Sequence, residues 1–200
     1  MKLYWAPQSR SSQALRILEE AGAEYERVTV DIRAGAQDAP AFRAINPMGK
    51  VPVLEDEGVI VAESAAICAH VADRFPRAGL APPPGDAMRG AYFRWLFFGP
   101  SCIEPAIVQK FTGLDIDKAT AGWGSYALVL DTLEEALASV GPWILGETYS
   151  AADVVIGSGL NFGMMFELIE PRAAFSAYVE RFRARPAIQR ATEIELQAGA

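Results

Sequence analysis

The sequence has very few of the side chains from which most metal and acid–base sites are built. It contains one histidine, His70, so a catalytic or zinc-binding cluster of histidines is excluded. Its two cysteines, Cys68 and Cys102, lie far apart in unlike sequence surroundings. We therefore expect neither a disulfide framework nor a metal site.

Basic residues and long apolar runs are scarce as well. Lysine and arginine number 18 against 25 aspartates and glutamates, which gives a net charge of −7. A nucleic acid or an anionic membrane needs clustered positive charge, so neither is an expected partner. No apolar run approaches the ~20 residues that cross a bilayer, and the first residues lack the pattern of a signal peptide. These features predict a globular cytoplasmic protein.

The most informative stretch runs from residue 46 to residue 64, NPMGKVPVLEDEGVIVAES. Pro52 interrupts a β-branched run and cannot donate a ladder hydrogen bond, so its strand edge must face outward. If the Val51–Pro52 bond is cis, Val51 offers its N–H and C=O to a ligand. Ser64 begins a predicted helix, where a carboxylate can bind, and Glu63 could bind an ammonium. The stretch therefore predicts a receptor for a small zwitterionic peptide.

This stretch, NP-M-GKVPVL followed by ESAAI, resembles the glutathione-binding half of the glutathione transferase family. The resemblance implies that glutathione is the co-substrate. It implies backbone pairing of Val51 with the cysteinyl unit beside Pro52, and it places Glu63 and Ser64 at the γ-glutamyl end. Lys50 is expected either to meet the glycyl carboxylate or to be an ordinary exposed lysine.

The predicted elements of the first 76 residues follow the order β-α-β-α-β-β-α, which is that of a thioredoxin-like domain, as the resemblance also implies. Strands are predicted at residues 3–5, 28–32, 51–54 and 59–62. Helices are predicted from residues 9–12 to Gly22, over 41–45 and over 64–75.

A proline-rich linker, residues 77–85, separates this domain from a stretch without strand patterns. Helices are predicted over 86–98, 119–140, 150–162 and around 175–182. Gly99-Pro100 is predicted to break the first of them, and the last ends before Pro186. The helix over 86–98 is apolar on nearly every side, which predicts burial between two surfaces. Ser150 and Asp153 form a capping box. The predicted fold class is α/β plus all-α, with an N-terminal thioredoxin-like domain (1–76) followed by an all-helical C-terminal domain (86–200).

Glutathione chemistry requires a thiolate, because a free thiol with a pKa of ~8.5 is only slightly ionised at neutral pH. Lowering that pKa by ~2 units needs ~2.7 kcal/mol of preferential stabilisation. A hydroxyl that donates to sulfur contributes ~1.5–3 kcal/mol, and a helix N-terminus adds ~1–2 kcal/mol. A hydroxyl is therefore expected between the first strand and the first helix, where Ser9, Ser11 and Ser12 lie.

Against the serine-type classes (theta, delta and zeta), LYWAPQSRSSQALRIL aligns without gaps, and the resemblance places Ser9 at the catalytic serine. The position of the tyrosine that marks the tyrosine-type classes falls on Trp5. The position of the cysteine that marks the beta class falls on Arg10. Three alternatives stay open for thiol activation: donation by Ser9, electrostatic stabilisation by Arg10, and a role for Ser11, with simple helix capping as the non-catalytic interpretation. Serines at both ends of Ser9–Ser12 exclude dithiol–disulfide exchange by the protein at this site.

Apolar residues of the helical domain could wall a pocket for the electrophile, or could simply be core. The candidates are Phe98, Cys102 and Met165, with Trp95, Met164 and Phe166 beside them. The sequence predicts a transferase that adds glutathione thiolate to a small hydrophobic electrophile, and the resemblance implies a homodimer. The alternatives are a glutathione-dependent isomerase, dehalogenase or peroxidase on the same site, or a non-catalytic binding module.

Overall fold

The polypeptide forms two structural units in the computed structural model, which describes residues 1–139 and 141–199. The first unit contains Met1–Leu80 together with the segment that begins at Pro186, and the second contains Ala81–Arg185. The boundary after Leu80 falls inside the predicted linker. The predicted domain of residues 86–200 would keep the last segment with the helices before it, whereas its contacts group it with the first unit.

A four-stranded sheet is the centre of the first unit. Its strands are β1 (Lys2–Trp5), β2 (Glu26–Thr29), β3 (Val53–Asp56) and β4 (Val59–Ala62). They lie in the order β2-β1-β3-β4, with β1 parallel to β2 and antiparallel to β3, and with β3 antiparallel to β4. The helices of its first 80 residues are α1 (Ser11–Ala21), α2 (Pro40–Arg43) and α3 (Ser64–Arg74).

The β3–β4 connection is a two-residue turn at Glu57 and Gly58. Asp56 pairs with Val59, so the two intervening residues alone reverse the chain. Both have positive φ, 50° at Glu57 and 82° at Gly58. This geometry matches the right-handed twist of the flanking strands, so the turn holds the two strands in register.

Alternate residues of β1 point to opposite faces of the sheet. Leu3 and Trp5 are at most 1% exposed, and α1 and α3 pack against each other and against the strands. Tyr4 lies on the other face, where its ring meets that of Phe42 in α2 with centroids 6.2 Å apart. The α-β-α arrangement confirms the fold predicted for this part of the chain.

β2 begins two residues earlier and ends three residues earlier than the predicted strand 28–32. Val30 still donates its N–H to Trp5 O at 2.8 Å, but the chain then turns away from the sheet. The Asp31 carboxylate accepts hydrogen bonds from the backbone N–H groups of Arg33 and Ala34, at 3.1 and 3.0 Å. Local side-chain bonds of this kind compete with a strand ladder, which explains why the strand pattern extends beyond the strand.

In its described residues the second unit consists of helices joined by turns and loops, with no strand and one isolated bridge between Trp143 and Gly146. Its helices are α4 (Arg89–Phe98), a π-helical turn (Gly99–Ile103), α5 (Glu104–Thr112), α6 (Tyr126–Ser139), α7 (Ala151–Met165) and α8 (Ala173–Arg183). The predicted all-helical character is therefore confirmed. The predicted helix 119–140 begins only at Tyr126, and Val140 lies outside the described residues.

The chain passes through Gly99-Pro100, which the sequence predicted as a helix break, and continues helically into α5. Gly99 allows this because α4 and α7 approach closely there. A Cβ added to Gly99 would lie 2.2 Å from Cγ1 of Val155 in α7.

α4 is less completely buried than predicted. Tyr92, Trp95 and Leu96 are buried, but Phe97 is 50% exposed and Met88, just before the helix, is 46% exposed. One face of α4 therefore packs within the protein, and the other lies open in the single chain. None of the helices in the two described ranges is both long and apolar enough to cross a membrane.

The last helix, α9 (Pro186–Gly199), belongs to the first unit and packs against α1. The sequence predicted that the preceding helix ends before Pro186. Pro186 does follow α8, but it is also the first residue of α9, a position that suits proline because the first N–H of a helix has no partner within it.

Candidate active site

The loop between β1 and α1 carries the three predicted catalytic residues. Ser9 Oγ lies 2.7 Å from Ala6 O and 2.9 Å from Ser11 Oγ, and it accepts the Ser11 N–H at 3.1 Å. Ser11 is fully buried, and its Oγ accepts the Ala6 N–H at 3.2 Å. The loop is thus closed on itself by the two serine side chains.

The donor directions in this loop follow from the number of hydrogens. A hydroxyl has one hydrogen, and a carbonyl can only accept, so Ser9 donates to Ala6 O and Ser11 donates to Ser9 Oγ. The Ser9 oxygen then accepts two hydrogen bonds from Ser11 while donating one. Hydrogen bonds in such a chain polarise one another, which makes the Ser9 hydroxyl a stronger donor than an isolated serine.

Arg10 is exposed and occupies the position just before α1. Its carbonyl oxygen accepts the Gln13 N–H at 3.2 Å and lies 3.5 Å from the Ser64 hydroxyl. The latter contact is at the limit of a hydrogen bond, but it shows that the start of α3 lies beside the start of α1. Two helix N-termini, each with partly positive charge, therefore meet at this place.

Glu63 precedes α3 in a conformation that is costly for a residue with a side chain. Its φ is 69° and its ψ is 121°, and the side chain is exposed. A non-glycine residue at positive φ typically costs ~1–3 kcal/mol and is held there by its surroundings. The strain lies at one of the positions that the sequence predicted for ligand contact.

The Val51–Pro52 bond is cis. The ladder with β1 begins at Val53, opposite Tyr4, so Val51 precedes the paired part of the strand. Continuing the two registers of β3 would set Val51 opposite Ala6 on one side and opposite Ser64 on the other. The sheet therefore brings the loop that holds Ser9, the Val51–Pro52 pair and the start of α3 to the same end.

Asn46, the first residue of the stretch 46–64, organises the approach to this end of the sheet. It is 7% exposed. Its Nδ2 donates to Lys50 O at 2.8 Å, and its Oδ1 accepts the Met48 N–H at 3.1 Å. The Lys50 side chain is exposed. The Asn-Pro pair was the available sequence signal, because asparagine commonly bonds to the backbone two residues ahead.

The loop also has a partner that sequence inspection missed. Ser12 Oγ lies 2.8 Å from Ser9 O and forms a hydrogen bond with the Glu195 carboxylate of α9. Glu195 Oε2 lies 3.7 Å from Arg16 Nη2, and both side chains are largely buried. No local sequence pattern could have linked residues that lie 183 positions apart.

The predicted electrophile residues lie on three elements of the second unit. Phe98 ends α4 and packs edge to face on Trp95, with centroids 5.1 Å apart. Cys102 lies half-buried in the π-helical turn, and burial raises the pKa of its thiol. Met165 ends α7 and is 58% exposed. Cys68 is fully buried, and the same cause raises its pKa further.

Comparison with known proteins identifies the family. Residues 1–73 match the model of the glutathione S-transferase N-terminal domain. A sphingomonad glutathione S-transferase, solved in complex with glutathione, is 30% identical, with a TM-score of 0.80 over 98% of this chain and 98% of that chain. The chain belongs to the glutathione S-transferase family.

Relatives that match this chain over most of its length carry different names. Protein LigF of Sphingobium sp. is 29% identical, over 94% of this chain and 91% of its own. The disulfide-bond oxidoreductase YfcG of Escherichia coli is 28% identical, over 92% of this chain and 91% of its own. Of these two relatives, YfcG is named for a reaction other than glutathione transfer. Within the described ranges, no three His, Cys, Asp or Glu side chains are gathered as a metal site.

Proposed function

We propose that this member of the glutathione S-transferase family binds reduced glutathione and adds its thiolate to a small apolar electrophile. The observation that carries the proposal is the position of the Ser9 hydroxyl. It lies just before α1, is polarised by two hydrogen bonds from Ser11, and shares one end of the sheet with Val51 and Ser64. These are the positions that a thiol and the backbone of a bound tripeptide would need.

In this proposal the two ends of glutathione are held apart from its sulfur. The α-carboxylate of the γ-glutamyl unit binds at the N-terminus of α3, where Ser64 adds a hydroxyl and the helix adds partial positive charge. Glu63 binds the neighbouring ammonium. Val51 pairs with the cysteinyl backbone ahead of Pro52, and Lys50 meets the glycyl carboxylate.

The Ser9 hydroxyl activates the thiol by changing acceptors. Its hydrogen lies on the neutral carbonyl oxygen of Ala6, 2.7 Å away. A thiolate next to it offers a charged acceptor, and charge-assisted hydrogen bonds are roughly twice as strong as neutral ones. The hydrogen therefore turns to the sulfur while Ser11 keeps the oxygen in place. Arg10, exposed beside this position, is the alternative source of stabilisation and acts through its charge alone.

The reaction then joins the glutathione sulfur to a carbon of the electrophile. Either a leaving group departs with the electron pair of its bond, or a conjugated double bond accepts the pair and a proton from water. Phe98, Cys102 and Met165 are the proposed apolar contacts of the electrophile. A protonated Cys102 thiol acts there as a small apolar group, not as a competing nucleophile.

A second candidate function is reduction of a disulfide, which the similarity to a disulfide-bond oxidoreductase favours. Here the glutathione thiolate attacks one sulfur of the disulfide and releases the other as a thiolate. A second glutathione then attacks the mixed disulfide, which yields glutathione disulfide and the reduced product. Because Ser9 and Ser12 replace both cysteines of a Cys-x-x-Cys motif, glutathione must supply both reducing thiols. Assays with an aryl halide and with a low-molecular-weight disulfide separate the two candidates.

We also propose a homodimer. The open face of α4, with Phe97 half exposed and its ring stacked on Phe93 at a centroid distance of 6.1 Å, supports an apolar contact with a second copy. Burial of such a face in a partner would also account for a helix that is apolar on nearly every side.

The glutathione site is tested by calorimetry on the Glu63→Ala and Ser64→Ala variants. Each removes a partner of a charged group, so affinity should fall by about 1.5–3 kcal/mol. Alanine at residue 63 keeps a Cβ and so retains the backbone strain. Glu180→Ala and Ser176→Ala, exposed positions of α8, are the matched controls and should bind like the unmodified protein. Unchanged affinity in both site variants would rule out this pocket.

A further inference from the structure

The last helix, α9, lies close to the loop that carries Ser9 at residues on both sides of that serine. Glu195 bonds to Ser12 on one side of Ser9. Near the end of α9, a Cβ added to Gly199 would lie 3.6 Å from Nε2 of Gln8, on the other side of Ser9. Gln8 itself has a positive φ of 54°, so the loop is strained where the helix end meets it.

Glu195 is placed to act on two residues of α1 at once. Ser12 and Arg16 are four residues apart and so share one face of the helix. The Glu195 carboxylate bonds to the hydroxyl of the first and lies 3.7 Å from the guanidinium of the second. The side chains of Glu195 and Arg16 are only 12% and 9% exposed, so both charges act with little screening by water.

The Ser12 hydroxyl has one hydrogen and two acceptors. One is the backbone carbonyl of Ser9, 2.8 Å away, and the other is the Glu195 carboxylate. The carboxylate is the stronger acceptor because it is charged. The hydrogen therefore points to Glu195, and the Ser9 carbonyl keeps only the Ser12 N–H, at 3.2 Å. Loss of the carboxylate would return the hydroxyl hydrogen to Ser9 O.

We propose that Glu195 is a positioning residue for Ser9, acting through Ser12 from the far end of the chain. By tethering the Ser12 hydroxyl, and with it the first turn of α1, to α9, it sets the backbone of residue 9 and hence the direction of the Ser9 Oγ. The proposal rests on the proposed function for its consequence in catalysis. Its structural part, control of the loop by Glu195, stands on the contacts alone.

Glu195 could also have the simpler role of anchoring α9 to α1. A second contact between the same two helices provides a matched control for that role. Arg190 Nε lies 3.0 Å from Glu19 Oε2 and its Nη2 lies 3.3 Å from Glu19 O. This contact also ties α9 to α1, but Glu19 lies in the last turn of α1, away from the loop. Arg190→Gln therefore weakens the anchor without touching Ser12.

The test compares Glu195→Gln, Ser12→Ala and Arg190→Gln. The first removes the charge while keeping the shape, and the second removes the same hydrogen bond while keeping the pair of Glu195 with Arg16. Both should raise the pKa of bound glutathione thiol by about half a unit to one unit, and lower kcat about three- to tenfold near neutral pH. Glutathione affinity should stay within about twofold. Arg190→Gln should lower Tm alone.

A second measurement does not depend on glutathione. Hydrogen exchange at the amides of residues 9–12 should be faster in Glu195→Gln and Ser12→Ala than in Arg190→Gln, in the ligand-free protein. If the unmodified protein binds no glutathione, the proposed function fails, and this measurement alone decides the role of Glu195. Equal exchange in all three variants, or a normal thiol titration in Glu195→Gln and Ser12→Ala, overturns the proposal and leaves Glu195 as an anchor.

Discussion

The Tyr178 hydroxyl donates a hydrogen bond of 2.7 Å to the Asp153 carboxylate, inside the core of the second unit. Both side chains are fully buried. The same carboxylate accepts the Ile144 N–H at 2.8 Å, and the N–H and hydroxyl of Ser150 at 2.9 and 3.0 Å. Burial raises the pKa of Asp153, and these donors oppose that rise. The predicted capping box of α7 is thus confirmed, and it also binds α8 and the chain at Ile144.

Replacing Asp153 should therefore cost more stability than a helix cap alone. Asp153→Ala removes the cap and leaves several buried donors without a partner, so the free energy of unfolding should fall by about 2–4 kcal/mol. Tyr178→Phe, which removes one donor, should cost about 0.5–1.5 kcal/mol. Urea unfolding measures both, and calorimetry should show normal glutathione affinity in the folded fraction. Equal losses in the two variants would contradict the multiple role of Asp153.

Ser9→Ala should raise the pKa of bound glutathione thiol by about one to two units, because the N-terminus of α1 supplies the remaining stabilisation. Turnover near neutral pH should fall about tenfold or more, with little change in glutathione affinity. Ultraviolet titration of the thiolate measures the shift.

Two variants separate the alternatives for thiol activation. Ser11→Ala should produce a smaller shift together with lower stability, since Ser11 orients Ser9 and is fully buried. Arg10→Ala should titrate like the unmodified protein. A shift in Arg10→Ala with none in Ser9→Ala would assign activation to the arginine.

Glu63→Gly should leave the free energy of unfolding unchanged or raise it by up to about 1 kcal/mol, because glycine accepts a φ of 69° without steric cost. Glutathione binding should nevertheless weaken. Glu193→Gly, on the exposed face of α9, is the control and should lose about 1 kcal/mol, the usual cost of glycine within a helix. Urea unfolding of both compares them. A loss at residue 63 as large as that at residue 193 would show that the conformation of Glu63 is not strained.

Cys102 should react slowly with iodoacetamide at neutral pH. Burial raises the pKa of its thiol, so the reactive thiolate is fully suppressed below the ordinary pKa and appears only as the pH rises through the raised value. Mass spectrometry after timed alkylation at several pH values should show a rate that climbs with pH and stays below that of free glutathione. Cys68, fully buried, should react only after unfolding. Fast labelling of Cys102 at pH 7 would indicate an activated thiol.

Phe97→Asp should shift the protein from dimer to monomer, because it places a charge on the open face of α4. Sedimentation equilibrium at micromolar concentration gives the mass of each species. Phe111→Asp, an exposed phenylalanine on α5, is the control and should leave the dimer intact. A monomeric unmodified protein would refute the proposed homodimer.

Much of the first unit could be predicted because its signals are local. Pro52 identified the residues just before β3 that lie outside both strand ladders, although β3 itself is paired on both sides, and the order of elements identified the sheet. The strand pattern at Val30 and Ile32 predicted a strand that extends too far, because a short side-chain turn at Asp31 competes with the ladder. Gly99 and Pro100 predicted a helix break where there is none, since tight packing on Val155 lets the helical path continue.

The candidate site could be predicted only in part, because short sequence motifs reveal local features and not contacts between distant segments. Ser9, Val51 and Ser64 follow from short motifs, and the register of the sheet brings them to one end. Glu195 has no such signal, because its partners lie on a helix near the other end of the chain. Contacts of that kind depend on the tertiary fold and leave no periodic or local pattern in the sequence.

The packing of α9 on α1 has a consequence for biosynthesis. Ser12 leaves the ribosome 183 residues before Glu195, so the nascent sheet and its first helix form before the Glu195 carboxylate exists. The unit that is translated first is therefore completed last, after all the helices of the second unit have been made. Synthesis halted between the two units should yield a nascent chain in which Ser9 is present but not yet held in its final orientation.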